Sequence, residues 1–194
     1  MKIRTLLAFG LALTLAGGLP VAATRAADAP VPAHDGTHDF DFHMGTWKTH
    51  ISRLVHPFTG SSEWTQYDGV SRVLPVWNGR ASLFELEASG PAGHLEGVGL
   101  RLYDPQARQW NLNWTNSSTG RLDGAMTGEF RDGRGDFYGQ DTFNGRVILV
   151  RNSFSEITAN SSHFEQAFSP DFGRTWETNW IMTFERMAPA AGAR

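Results

Sequence analysis

The feature that most constrains the fold is a regular succession of short apolar runs separated by tight-turn residues. Segments rich in β-branched and aromatic residues recur about every 8–12 residues, the spacing typical of an all-β sandwich or barrel. Asn78-Gly79, Asp132-Gly133 and Asn144-Gly145 separate such segments, and these pairs are strong signals for two-residue hairpin turns. The pattern predicts about ten strands, at residues 46–54, 63–74, 81–88, 95–103, 109–115, 122–131, 135–142, 147–157, 162–168 and 175–186.

Consecutive antiparallel strands joined by hairpins predict a single up-and-down β-barrel, because closure removes the exposed edges of an open meander. A sandwich is the main alternative, and a repeat propeller is disfavoured because no period of about 40–50 residues is visible. Within the long second strand, Gly69 is the expected site of a bulge or bend. The predicted barrel domain covers residues 39–187, with a flexible arm at 27–38 before it and a disordered tail at 188–194 after it.

The first 26 residues have the pattern of a cleavable secretory signal peptide. A short basic start, Met1-Lys2-Ile3-Arg4, precedes an apolar stretch and a run of small residues that ends at Ala26. The apolar stretch is shorter than the ~20 residues of a membrane-spanning helix. We therefore expect an exported protein, periplasmic or secreted, with no membrane span in its mature form. The chain has no cysteine, which excludes disulfides, thiol nucleophiles and cysteine-based zinc sites.

Charge and motifs exclude several function classes. The chain carries 17 basic and 20 acidic side chains, without the clustered positive charge that nucleic-acid binding requires. The nucleophile elbow, zinc-protease motif, P-loop and dinucleotide fingerprint are all absent from the sequence. We therefore assign no catalytic residue, no cofactor and no nucleic-acid partner, and leave the oligomeric state open.

The histidines are the candidate metal ligands. His34, His38 and His43 lie among aspartates in a segment without a helical pattern, where convergence on one ion is not expected. No metal site is predicted there. His50 and His163 fall within predicted strands, where either could ligate a haem iron, so a haem-binding barrel is kept as one alternative.

Three strands alternate between aromatic and polar residues, which places the two kinds on opposite faces. The sequence does not say which face is inside. We interpret the aromatic content as favouring non-catalytic binding of a small, partly apolar molecule within the barrel. The candidate ligand-binding residues, drawn from both faces, are Trp110, Asn111, Asn113, Trp114, Glu165, Gln166, Glu177, Asn179 and Trp180.

An enzyme inside the barrel, a hydrolase or an isomerase, is the alternative from another class. Glu165 and Glu177 lie on the last two predicted strands, and glycoside hydrolysis requires two carboxyl groups that flank one bond. The two approach each other only if their strand faces coincide, and His163 is the third candidate. The competing interpretation makes both glutamates solvent-facing hairpin partners. A structural or partner-binding envelope protein is a further alternative.

The segment Ser169 to Trp176 spells S-x-D-x-G-x-T-W, which resembles the Asp-box hairpin of sialidases and other propeller glycosidases. A single copy in a chain without repeats predicts a structural turn. Asp171 would accept hydrogen bonds from turn N–H groups, and Gly173 would adopt a left-handed conformation. Phe172 occupies the middle of the turn, where a positive φ would be costly for its side chain.

Gly45-x-Trp47, at the start of the first predicted strand, resembles the G-x-W signature of lipocalins and related calycin barrels. A broader likeness covers nearly the whole chain after the signal peptide. It resembles a widespread family of uncharacterised exported bacterial proteins that carries a domain of unknown function and looks calycin-like. The resemblance implies a calycin/lipocalin-like barrel and secretion, and it brings no catalytic residue, substrate or cofactor. The segments that carry it are "HDFDFHMGTWKTHISRL", "GRASLFELE", "EGVGLRLYDPQARQWNLNW", "GRGDFYGQDTFNGRVILVR" and "FEQAFSPDFGRTWETNWIM".

Overall fold

In the computed structural model, which describes residues 35–188, ten antiparallel strands form one closed barrel. Each strand pairs with its neighbours in the sequence, and the last strand pairs with the first to close the sheet. The predicted fold class is therefore confirmed. The predicted signal peptide, residues 27–34 of the predicted arm and residues 189–194 of the predicted tail lie outside the described residues. The strands are β1 (Gly45–Leu54), β2 (Trp64–Val76), β3 (Ala81–Gly90), β4 (Gly93–Asp104), β5 (Gln109–Asn116), β6 (Met126–Arg131), β7 (Arg134–Phe143), β8 (Arg146–Ser155), β9 (Ser161–Ser169) and β10 (Glu177–Arg186).

The shortest pairing between neighbouring strands of the barrel is that of β5 with β6. These strands pair only from Trp110 opposite Gly128 to Leu112 opposite Met126. Residues 122–125, predicted as the start of the sixth strand, are instead part of a loop, so that prediction is wrong at its N-terminal end. The loop rejoins β5 through one backbone hydrogen bond, from Asp123 N to the carbonyl of Trp114 at 2.8 Å. Beyond Leu112 the barrel wall therefore has a gap.

Gly69 does not form the expected bulge. The register of β2 with both of its neighbours continues through Gly69 without a shift. The glycine is required for a different reason, since a Cβ at this position would collide with the carbonyl oxygen of Glu87 on β3. A register shift is found instead in β10, where it pairs with β9. It lies between Thr178 and Trp180, and Asn179 is the extra residue of this bulge.

Residues 35–44, here called the plug segment, close one end of the barrel. A 3₁₀ helix, Asp41–His43, lies within this segment. Phe40 is fully buried and packs edge-to-face on Trp110, with 5.0 Å between ring centroids. The indole N–H of Trp110 donates to the carbonyl of Gly36 at 3.0 Å. Residues 35–38 fall within the predicted arm, and Gly36 among them contacts Trp110 of the barrel.

The Gly45-x-Trp47 motif holds the plug segment to the first and last strands. Trp47 is fully buried, and its indole N–H donates to the carbonyl of His43 at 2.7 Å. The guanidinium of Arg186 lies 4.1 Å from the centre of the Trp47 ring and donates to the carbonyls of Met44 and Phe42. These contacts supply hydrogen-bond donors to the carbonyl groups at the end of the short helix. Within residues 35–188, no helix has the length and apolar character needed to cross a membrane.

The turn between β9 and β10 has the structural role predicted for the Asp-box-like motif. The Asp171 carboxylate accepts the N–H and the hydroxyl of Thr175, at 2.9 and 2.7 Å. Ser169 Oγ donates to the same carboxylate and accepts the N–H of Gly173 at 2.7 Å. Gly173 has a φ of 89°, and the Trp176 indole donates to its carbonyl. Side-chain hydrogen bonds therefore set the turn.

Phe172, in the middle of this turn, has a backbone conformation that is unfavourable for its side chain. Its φ is 61°, a left-handed value that an L side chain adopts at a cost. Its side chain is 81% exposed, so no packing offsets that cost. The hydrogen bonds of Asp171 and Ser169 must therefore stabilise the turn despite Phe172.

We predict that Asp171→Ala lowers the melting temperature at neutral pH. Hydrogen bonds from the Thr175 backbone and side chain lower the pKa of Asp171 to about 2. A depressed carboxyl pKa contributes stability above the unfolded value of about 3.9, and this contribution is lost as pH falls towards the folded value. The difference between variant and wild type should therefore shrink as the pH is lowered in thermal melts. Asp68→Ala, which removes an exposed carboxylate that pairs with His50, is the control. An unchanged melting temperature of D171A at neutral pH would contradict the structural role.

Candidate functional site

Between the plug segment and the opposite barrel end lies a cavity of about 250 Å³. Alternation along the strands turns every second side chain inward, and these inward positions form the wall. Most of the wall is apolar, and the gap between β5 and β6 opens it to solvent near Asp123 and Gly124. The apolar side chains of the wall are Phe84, Leu86, Leu112, Trp114, Met126, Val150, Phe154, Phe164, Phe168, Trp180, Met182 and Phe184.

Glycines on β4 make space for the largest of these side chains. The ring of Trp114 lies over Gly97, where any Cβ would collide with the indole. Gly99, directly opposite Trp114 in the register, also borders the cavity. A side chain at Gly97 would displace the indole of Trp114, so this glycine is needed for the present position of the ring.

Arg101 lies on the cavity floor, next to the plug segment. Its side chain is only 5% exposed, and its guanidinium lies 4.4 Å from the ring centre of Phe40 and 5.2 Å from that of Phe84. Its one hydrogen bond among residues 35–188 runs from Nη1 to Nδ1 of His43 at 3.2 Å. No ion pair within the same residues includes Arg101. Burial lowers its pKa to about 9, so near neutral pH this group is a buried cation.

His43 faces Arg101 as a neutral imidazole. Burial, followed by repulsion from Arg101 and Arg186, lowers its pKa well below the ordinary value. Because Nδ1 accepts the hydrogen bond from Arg101, the proton of the neutral ring lies on Nε2. This Nε2 is buried and has no hydrogen-bond partner among the described residues. The floor therefore carries more donors than acceptors.

A polar pair interrupts the apolar wall halfway up. The side-chain amide of Gln166 on β9 donates to the side-chain oxygen of Asn152 on β8 at 3.2 Å, and both residues border the cavity. The remaining amide groups of this pair can hydrogen bond to a molecule inside the barrel. They are the second set of polar atoms, after Arg101, that faces the interior.

Two carboxyl groups lie at the open end. Asp123 and Asp141 both border the cavity, and the pKa of Asp123 is raised by partial burial and by the negative charge of Asp141. Phe137, on the same strand as Asp141, contacts Phe40 of the plug segment at 5.7 Å between ring centroids. At about 3.3 Å per residue, Asp141 therefore lies about 13 Å along β7 from the floor. The cavity is thus positive at its floor and negative at its mouth.

The loop between β1 and β2 covers part of the mouth. The ring of Phe58 packs 5.8 Å from Phe143 and 6.2 Å from Phe168, measured between centroids. Its backbone N–H donates to the Glu177 carboxylate at 2.6 Å. Glu177 thus holds this loop at the rim, which is a structural contact.

Only some of the residues predicted to bind a ligand border the cavity. Asn113, Trp114, Gln166 and Trp180 border it. The Asn113 amide, however, donates to the carbonyl of Leu100 on the next strand at 3.2 Å. Trp110 lies beneath the cavity, against the plug segment. For all of these residues, ligand binding stays a prediction.

The other predicted residues lie elsewhere. Asn111 alternates with the inward Trp110 and Leu112, which turns it outward. Asn179 is the buried bulge residue of β10, and its amide nitrogen has no partner among residues 35–188. Glu165 lies on the outer face of β9, and Glu177 pairs with the inward Phe168 at the rim. The two carboxylates therefore do not share a face, as a pair of catalytic glutamates would require.

The two histidines considered as haem ligands also lie outside. His50 alternates with the buried Thr49 and Ile51, and its ring contacts Asp68 at 2.9 Å. His163 alternates with the inward Phe164 and contacts Glu165 at 3.1 Å. Neither imidazole faces the cavity.

Sequence reasoning missed Arg101 because β4 inverts the usual pattern. Leu100 and Leu102 form the apolar set of this strand, which suggests that they point inward. The structure instead places Gly99 and Arg101 at the cavity, with Gly97 on the same buried face of the strand. The available signal was the run of alternating glycines, which marks a face where another side chain approaches closely.

No family model matches the chain, and no curated protein matches it in sequence. Among solved structures, the chain is similar to the S-type phycobiliprotein lyase CPES from Guillardia theta, with a TM-score of 0.54 and 13% identity. The alignment covers 77% of this chain and 91% of the lyase. EF1p2_mFAP2b bound to DFHBI has a TM-score of 0.44 and 9% identity, over 78% of this chain and 99% of the other. The redesigned β-barrel mFAP0 bound to DFHBI has a TM-score of 0.43 and 12% identity, over 75% and 99%. The likeness to the lyase shows the fold alone, a closed antiparallel β-barrel.

We predict that Arg101→Met raises the stability of the ligand-free protein at neutral pH by about 1–4 kcal/mol, because it removes a buried cation that lacks a counter-ion. The folded pKa of about 9 lies below the ordinary arginine value. The cost of burying the charge is therefore complete below about pH 9 and falls as the pH rises above it, since the unfolded state then binds more protons.

The stability gap between R101M and wild type should therefore narrow from pH 9 upwards in chemical denaturation. Arg72→Met, which removes an exposed arginine paired with Glu85, is the control and should show no such pH dependence. If R101M were less stable than wild type at neutral pH, the contacts of Arg101 with the phenylalanine rings would outweigh the cost of its burial.

Proposed function

We propose that this protein is an exported barrel that binds a small, partly apolar molecule in its interior without catalysis. The observation that carries the proposal is the cavity itself. Its wall is largely apolar, it is open at one end, and a few polar groups converge on it: Arg101 at the floor and the Asn152–Gln166 pair in the wall. Pockets for small molecules in other proteins have this combination of apolar surface and few polar groups.

The cavity volume limits the size of the molecule. A cavity of about 150 Å³ accommodates benzene, so the 250 Å³ of this cavity has room for a body of about two fused rings or an aliphatic chain of similar volume. A longer molecule would extend through the mouth between Asp123 and Asp141.

The side chains that border the cavity favour binding over catalysis. Among the described residues they include no Ser, Thr, His, Lys or Tyr that could act as a nucleophile or a base. The carboxylates that do border it, Asp123 and Asp141, lie at the mouth. Of the three residues considered for an interior enzyme, His163 and Glu165 lie on the outer face, and the Glu177 carboxylate accepts the N–H of Phe58 at the rim. The proposal of export rests separately on the signal-peptide pattern of residues 1–26.

We predict that filling the cavity abolishes binding of a neutral aromatic probe. Val150 points into the cavity from β8, so Val150→Phe should weaken the binding of 2-naphthol at least tenfold in isothermal titration calorimetry. Val147 lies on the same strand and is 60% exposed, so Val147→Phe is the matched control and should bind as wild type does. Circular dichroism melts establish that both variants fold. If wild type and V150F bound 2-naphthol equally, or if neither bound it, cavity binding would be contradicted.

A further inference from the structure

We propose that the cavity floor is a carboxylate-binding subsite built on Arg101, and that the molecule bound there is a small monocarboxylic acid with an apolar body. This inference rests on the proposed function and specifies the chemistry of its ligand.

Arg101 has no anionic partner within the described part of the chain. A guanidinium has five N–H donors, and only one acceptor, Nδ1 of His43, meets that of Arg101 within residues 35–188. Arg186, by comparison, donates to three backbone carbonyls, and Arg134 pairs with Asp136. A charge buried without a counter-ion is unfavourable unless something supplies the missing charge and acceptors. An anion in the cavity would supply both.

The strand next to Arg101 carries a second polar group without a partner among the described residues. Ser82 on β3 is directly opposite Arg101 in the register, so the two side chains project from the same inward face of neighbouring strands. Ser82 is fully buried, and its Oγ has no hydrogen-bond partner among the described residues. Ser82 does not border the cavity, so Arg101 is the donor that a ligand would meet at the floor. Four of its five N–H groups lack an acceptor among the described residues, and an acceptor with two oxygen atoms can meet two of them.

The surroundings of Arg101 favour a carboxylate over a phosphate. The rings of Phe40, Phe84 and Phe154 lie within 5.4 Å of the guanidinium, so an incoming anion must lose most of its water. This loss costs a doubly charged phosphate more than a singly charged carboxylate. The planar guanidinium also forms two parallel hydrogen bonds with a planar carboxylate, an arrangement that a lysine could not provide.

The charges at the other end fix the orientation. Asp123 and Asp141 border the mouth, so a negative group of the ligand is attracted to the floor and repelled from the opening. The apolar body then lies against the wall formed by Trp114, Phe164 and Met182. A monocarboxylate with its acid group at Arg101 satisfies both ends of the cavity.

The test compares 2-naphthoate with its neutral analogue 2-naphthamide by isothermal titration calorimetry at neutral pH. Wild type should bind the acid at least tenfold more tightly than the amide, and Arg101→Met should remove that preference while still binding the amide. Arg101→Lys keeps the charge without the planar fork and should retain part of the preference. Arg72→Met removes an exposed arginine on the outer face of the barrel and should bind as wild type does.

The possible results distinguish failure of the carboxylate subsite from failure of the proposed small-molecule binding. If acid and amide bind wild type equally, or if R101M keeps the preference, the cavity binds small molecules but the carboxylate subsite is wrong. If neither compound binds, and 2-naphthol does not bind either, the proposed function fails and this inference fails with it. If R101M does not fold, R101K is compared with R72M instead. Full retention of the preference for the acid in R101K would leave no role for the planar guanidinium of Arg101.

Discussion

Closure of one barrel end by the plug segment makes a cavity out of what would otherwise be a tube. Ten strands satisfy one another's backbone groups around the ring, but nothing in the sheet closes its ends. Phe40 fills the bottom of the barrel, and Trp47 and Arg186 fasten the segment to the first and last strands. The floor of the cavity and the position of Arg101 both depend on this closure.

The same closure explains why the interior is polarised. The plug segment places His43 and the ring of Phe40 against Arg101, which buries the guanidinium without an anionic neighbour. At the other end, the weak pairing of β5 with β6 leaves an opening bordered by Asp123. A chain that only needed a filled core would be more stable with an apolar residue in place of Arg101. We interpret the retained charge as a binding feature, in which stability is given up for recognition.

Much of this fold was predictable, and the reasons are local. Paired turn residues such as Asn144-Gly145 set the hairpins, and alternation set the strands, so all ten strands were placed with small boundary errors. The site was less predictable, because strand orientation depends on contacts far apart in the sequence. Arg101 was missed since its strand carries leucines on the outer face. Glu165 and Glu177 were separated by the bulge at Asn179, which no local pattern signals.

The most direct test of the account is a crystal structure of the protein in complex with 2-naphthoate. The account predicts electron density for the probe inside the barrel, with its carboxylate within hydrogen-bond distance of the Arg101 guanidinium and its rings against Trp114 and Phe164. Density for the probe only on the outer surface, with Arg101 in contact with water or protein alone, would contradict the central claim that this cavity is a binding site.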